Sequence, residues 1–390
     1  MDGAVLKYPY PYKAWLTMAN DPDNTLIDDW KELHGFIWEE LGLPFGDSLF
    51  VRSFNQNLPD QVSLEKHPEI GTAHLHDIIH TWGDYMHGRR RGFDREDAIE
   101  AAETLKKAGV LPKVWIDHAS FVGNMLHGTR KGAIDKLVDS SGHEYENFLY
   151  SLDIVRELGI RYIWNGEVTA VIGQDRKLGF ADHKRQSGSA LKASAKSVLQ
   201  QLPSVQRAYI AGDNRQYYPY KFPDGSTLYC FRRYGTWQDA DIDGLHNLIN
   251  PERVAELMTN EGTAVVYSHL GKRHPKGSDR ENHIPETTRK DLRNLKSKYE
   301  SKELMISSTS DMLDYLVIRD HIRTNASNGT IEFVSDGIRY ESLSMEQLKG
   351  KVFSFNANRL KTEKPTILID GKESIAEIRQ EQPNIISVVF

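Results

Sequence analysis

The chain has 390 residues, 39% hydrophobic and 27% charged, which is the profile of a globular protein long enough to bury a large core and not that of a disordered one. A net charge of −6 argues against nucleic acid as a partner, and no run of about 18 apolar residues is present to span a membrane. The single cysteine, Cys230, excludes an intrachain disulfide, and the start MDGAVLKYPYPYKAW lacks the features of a signal peptide, so a cytoplasmic protein is expected.

In chain order, AWLTM (14–18) reads as a strand. DDWKELHGFIWEELG (28–42) carries Trp30, Leu33, Ile37 and Leu41 at helical spacing, with Gly42 as a stop. SLFVRSF (48–54) and EIGTAHL (69–75) are strand-like. FDREDAIEAAETLKKAG (93–109) is a helix that Asp94 can cap and Gly109 can end. KVWID (113–117) is a strand, YENFLYSLDIVRELG (145–159) a helix and IRYIW (160–164) a strand. QYYPYKFPDGSTLYCFRRYG (216–235) reads as a hairpin turning at Pro223-Asp224-Gly225. NPERVAELMTNEG (250–262) is a helix with Asn250 as cap and Pro251 at its first position, followed by the strand TAVVYSH (263–269). Helical stretches near 285–300 and 309–322 come next.

Repeated strand–helix units imply parallel strands, because parallel neighbours need a crossover. An α/β fold is therefore expected, as a (β/α) barrel, complete or partial, occupying residues 1–324. After that the pattern changes to short strands, read as antiparallel, with Asp-Gly turns, which predicts a small C-terminal β domain over 325–390.

In such a fold the reactive groups sit just past the carboxyl ends of strands. Here Asp21 and Asp23 follow the first strand, and His76 and His80 follow EIGTAHL. Asp117-His118 ends KVWI, Asn165-Gly166-Glu167 follows IRYIW, and His269 ends the late strand. The stretch HLHDIIHTWGDYMHG (74–88) concentrates four of the 15 histidines. Imidazole nitrogens with carboxylate oxygens suit a borderline divalent ion, zinc first and otherwise cobalt, nickel or iron. His76 and His80, or His80 and Asp84, are four apart and on a helical turn would share a face. Asp21 and Asp23 could divide the work, one binding metal and the other taking a proton from water. Trp82, Tyr85 and Trp115 offer flat faces for a sugar ring.

These residues resemble the polysaccharide deacetylase superfamily, the NodB-homology or carbohydrate esterase family 4 group. LTMANDPDNT stands where that family has its first acidic motif, and HTWGD (80–84) matches its His-[Ser/Thr]-x-x-[His/Asp] motif letter for letter. VVYSHLG (265–271) is similar to its late histidine motif, and ISSTSDMLDYL (306–316) to its closing helix. The resemblance, over about residues 12–320, implies a distorted NodB-like barrel and a metal-dependent hydrolase that removes an acetyl or other acyl group from an amino sugar or related carbohydrate. It implies Asp21 as general base and His269 as acid, with Asp23, His80 and Asp84 holding the ion; as a departure from the family, the chain also offers His76 and His80 as a competing ligand pair. Pro22 separates the two acids, which leaves room for Asp21 and Asp23 to exchange roles. KVWIDHASFVGN replaces the family's Arg-x-Pro motif, so Asp117, His118 and Asn124 are candidates to support the site in its place.

Two other readings fit the residues: a metal-independent glycoside hydrolase using paired carboxylates among Asp21, Asp117 and Glu167, and a non-catalytic carbohydrate-binding barrel.

Overall fold

A computed structural model describes residues 4–55, 58–72, 76–84, 95–117, 151–178, 182, 214–221, 226–236, 238–272 and 282–390, together with the backbone of 136–138 and 144–146. Along the chain come β1 (Ala14–Asn20), α1 (Ile27–His34), β2 (Asp47–Leu49), β3 (Arg52–Ser53), β4 (His76–His80), β5 (Gly83–Asp84), α2 (Arg95–Ala108) and β6 (Val114–Ile116). Next are β7 (Lys136–Val138), β8 (Glu144–Glu146), α3 (Leu152–Glu157), β9 (Tyr162–Trp164), β10 (Val168–Thr169), β11 (Tyr217–Lys221), β12 (Thr227–Phe231) and β13 (Arg233–Tyr234). α4 (His246–Ile249) and α5 (Pro251–Thr259) lead to β14 (Thr263–Ser268), α6 (Glu286–Glu300), β15 (Leu304–Ile306) and α7 (Thr309–Asp320). The last stretch holds β16 (Ile322–Asn325), β17 (Thr330–Phe333), α8 (Met345–Leu348), β18 (Val352–Asn356), α9 (Ala357–Leu360), β19 (Thr366–Ile369), β20 (Lys372–Glu373), β21 (Glu377–Gln382) and β22 (Ile385–Val389).

The fold is mixed α/β, with two mainly parallel sheets in the order β10-β13-β14-β1-β15 and β11-β12-β9-β6-β4-β2. All seven residues of β1 are buried, as expected for a parallel strand covered on both faces. Among the described pairs of these two sheets only β11–β12 is antiparallel, and it is the hairpin expected from the sequence, with its tip outside the described residues. The two sheets adjoin at β1 and β2, where Asn20 Nδ2 donates to Asp47 Oδ1 at 3.0 Å and Ser48 Oγ donates to the Asn20 carbonyl. Among the described residues no strand ladder closes these sheets into a barrel. No described helix is long and apolar enough to cross a membrane.

Local signals account for several elements. The Asn250 side chain accepts from the Arg253 N–H at 3.0 Å and Pro251 opens α5, so the cap and the first position both work as read. α2 buries Ala98, Ala101, Ala102 and Leu105, the small apolar face that its spacing presents. α1 continues as one wide turn of π-helix over Gly35–Glu40, and Gly42 then takes a φ of +61°.

Three expectations need correction. EIGTAHL does not open as a strand: Pro68–Thr72 forms a 3-10 turn, 73–75 lie outside the described residues, and β4 is described from His76. The helix expected over 145–159 is shorter, since Tyr145 and Glu146 lie in β8 and only Leu152–Glu157 is helical; 147–150 fall outside the described residues. The tail is not uniformly antiparallel. β16 pairs antiparallel with β17, but β17 runs parallel to β19. Asp370 and Gly371, at φ +45° and +76°, make the tight turn that an Asp-Gly pair favours before β20. The tail has two sheets, β16-β17-β19-β20 and β18-β22-β21; the first starts at Ile322, and the core they share, Phe333, Phe353, Ile367 and Ile386, is continuous with Trp15, Tyr315 and Leu316.

Candidate metal and catalytic site

The parallel strands aim their carboxyl ends to one side, and that side gathers the polar residues. Asp21 follows β1, and its N–H donates to the Ser268 carbonyl at the end of β14 at 2.7 Å. His80 ends β4 and His269 follows β14. Asp21, Asp23 and His80 each offer one ligand atom, and these atoms lie within 4.8 Å of one another. His80 Nε2 and His269 Nε2 are each 3.6 Å from Asp21 Oδ2, and His269 Nε2 is 3.9 Å from Asp23 Oδ2.

Asp21 is locked in place. Arg233, at the start of β13, donates from Nη2 to Oδ1 at 2.8 Å and from Nη1 to Oδ2 at 3.0 Å. The guanidinium carbon lies 3.9 Å from the Trp164 ring centre and 4.8 Å from that of Tyr267, so the cation is held between aromatic groups. His269 is also held: its Nδ1 is 2.9 Å from Asp241 Oδ1, and the Tyr267 hydroxyl is 2.9 Å from its Nε2. Burial disfavours the charged imidazole of His269, but Asp21 and Asp241 outweigh it and keep the pKa above the usual histidine value. Asp23 is the more open acid, and Lys272 Nζ lies 3.2 Å from its Oδ2.

Two carboxylates and an imidazole are a donor set suited to a borderline divalent ion, and the Asp21-Asp23-His80 group could hold one. The clamp from Arg233 does not prevent this, since each carboxylate oxygen keeps a further lone pair. No protein-family model, no curated protein and no solved structure matches this chain.

The other sequence candidates fall elsewhere. His76 lies at the opposite end of β4 from His80, and four strand residues span about 13 Å, so the pair cannot grip one ion; the helical turn assumed for their spacing is a strand. His76 Nε2 instead lies 2.8 Å from the Ile70 carbonyl, near buried His34 and Asp47. Asp84, in β5, accepts from Asn55 Nδ2 and Gln61 Nε2, both at 3.1 Å, and is outside the three-residue group. Asp117 is buried past β6, its N–H donating to the Trp164 carbonyl at 2.8 Å; it shares the polar end of the sheet without joining the donor group. Trp82 cannot offer a face to a sugar, being 0% exposed, with its Nε1 donating to Ser151 Oγ and its ring edge-on to buried Trp115. His118, Tyr85 and Asn124 lie outside the described residues.

Arg233, Asp241 and Tyr267 were not singled out by sequence reasoning. Arg233 had a readable signal: two arginines follow the apolar strand TLYCF, and an arginine next to such a strand is buried only if an acid meets it. Asp241 had none, being one loop acid among several in DADID.

Proposed function

We propose that the chain is a metal-dependent hydrolase of the polysaccharide deacetylase kind, removing an acyl group from an amino sugar or related carbohydrate, and that its two sheets are the parts of a distorted barrel. The observation that carries this reading is the convergence of Asp21, Asp23 and His80 within 4.8 Å, beside His269, at the carboxyl ends of parallel strands. Asp23 and His80 would hold the ion with Asp21 at its side. Zinc, or cobalt, nickel or iron in its place, would acidify water and polarise an acyl carbonyl.

The residues of the chain supply the proton transfers. Asp21, oriented by Arg233 and kept as a carboxylate by it, accepts the proton of the attacking water. His269 gives a proton to the departing sugar nitrogen or oxygen. With Nδ1–H donated to Asp241, its Nε2 is the nitrogen that carries that proton, and the upward shift of its pKa favours the protonated form. A glycoside hydrolase is less well supported. Asp21 and Glu167 are each tied to a guanidinium, Arg233 and Arg232, which favours the charged form over the proton donor that such an enzyme needs.

The test is elemental analysis of the purified full chain together with acetate release from N-acetylated oligosaccharides. About one ion per chain is expected in the wild type and near none in His80→Ala. A folded wild-type protein that takes up no stoichiometric zinc, cobalt, nickel or iron refutes the reading.

A further inference from the structure

A second cavity lies away from the metal-site candidate. It is a cleft of about 710 Å³ beneath the edge strand β15, between β1, α7 and the tail strands β18 and β21. Its volume falls in the range of small-molecule sites, roughly 300–1,000 Å³. Trp15, which lines it, sits six residues before Asp21 along β1, about 20 Å in an extended strand, so the cleft is not part of the reacting centre.

Its walls combine aromatic rings with positive charge. Tyr10, Tyr12, Trp15 and Tyr315 supply the rings. Lys302, Lys349, Lys351 and Arg379 stand against only Asp311 and Glu381, a local positive excess in a chain of net charge −6. Arg379 is paired with Glu377 at 2.7 and 2.8 Å, which leaves the three lysines as the cations that an incoming anion would meet. Trp15 and Tyr315 are each 2% exposed and form its floor, whereas Tyr10 and Tyr12 are half-buried and present ring surface.

We infer that this cleft binds a small anionic saccharide, a hexose-sized ring bearing a carboxylate or a phosphate. Lysines at the rim meet the charge, and the Tyr10 and Tyr12 ring surfaces meet the C–H faces of the sugar. A planar base fits less well: the Trp15 and Tyr315 rings are tilted at 50°, and Tyr315 already stacks on Phe353 at 8°, so these rings make no parallel slot. The inference does not rest on the metal reading.

Calorimetric titration of the full chain with D-glucuronic acid, D-glucose 6-phosphate and D-glucose tests it, and the two charged sugars separate carboxylate from phosphate recognition. At least one charged sugar should bind more tightly than glucose by about tenfold or more, with or without a chelator. Tyr12→Ala, which removes a ring face from the cleft, should weaken that binding about fivefold. The double variant Lys349→Glu and Lys351→Glu should weaken it further, by about tenfold or more. Failure of both charged sugars to bind, glucose binding equally well, or binding unchanged in the lysine variant overturns the assignment. Loss of binding on adding the chelator would also overturn it, because the ligand would then be at the metal centre.

Discussion

Arg233 clasps Asp21 through two hydrogen bonds of 2.8 and 3.0 Å, and neither side chain has any exposure to solvent. A buried pair of this kind contributes modestly as a pair, but breaking it leaves a lone charge in the interior. Arg233→Met should therefore cost about 3–5 kcal/mol in urea unfolding. Adding Asp21→Asn to that variant should restore much of the loss, because the stranded carboxylate is gone. Equal instability in the single and double variants would mean that the arginine acts through packing on Trp164 and Tyr267 and not through its charge.

Asp21 and Asp23 separate by role. Asp21→Asn keeps shape and removes basicity, so it should retain metal and lose roughly 10²-fold or more of its turnover. Asp23→Ala should lose metal. Metal content and acetate release measured on both variants check this, and loss of metal from Asp21→Asn with retention in Asp23→Ala would show that the two roles are exchanged.

Asp77 gives the chain a pH dependence apart from the site. Burial pushes its carboxyl up to about 7, against the Ser310 N–H that donates to Oδ2 at 2.7 Å, and with Asp311 nearby adding to the rise. Between about pH 4 and pH 7 the folded chain keeps a proton that the unfolded chain has released. Stability should fall as pH rises through that interval and then level off for this group, at a rate of up to about 1.4 kcal/mol per pH unit. Urea unfolding of wild type and Asp77→Asn across that range checks this; the variant should show a flatter profile and gain on the wild type towards pH 8.

Gly83, in the HTWGD motif, is fixed by space. Its φ is +145°, and a Cβ there would stand 2.3 Å from the Arg52 carbonyl oxygen across the β3–β5 pair. Gly83→Ala should cost about 2–5 kcal/mol through strain and overlap. It should also weaken metal uptake, because His80 lies three residues earlier on the same run of chain. Thermal unfolding and elemental analysis together check both parts.

The readable parts of the sequence were those where pattern and environment agree. β1 and β14 are short apolar runs ending in Asp and His, and they lie side by side with those ends together. α5 carried its own cap and its own proline. His76 was misplaced because a four-residue spacing puts two side chains together on a helix and about 13 Å apart on a strand, and nothing in GTAHLHDIIH decides between the two periods. Trp82 looked like a sugar platform for a related reason: composition marks an aromatic, and only the packing of Trp115 and Ser151 around it reveals a core residue. Arg233 and Asp241 reach the site from segments more than 200 residues beyond Asp21, a pairing that no local pattern encodes.

The first described residues are held by some of the last. Val5 bridges Phe355, the Leu6 N–H donates to the Ser354 carbonyl at 2.8 Å, and the Asn356 N–H returns to the Ala4 carbonyl at 2.8 Å. On the ribosome this lead-in to β1 is made some 350 residues before its partner strand. At about 5–20 residues per second the lead-in waits tens of seconds for that strand. The nascent chain thus keeps Tyr8 and its neighbours exposed until β18 has emerged. Trimming β18 would leave the newborn protein with an unseated front edge next to the strand that carries Asp21.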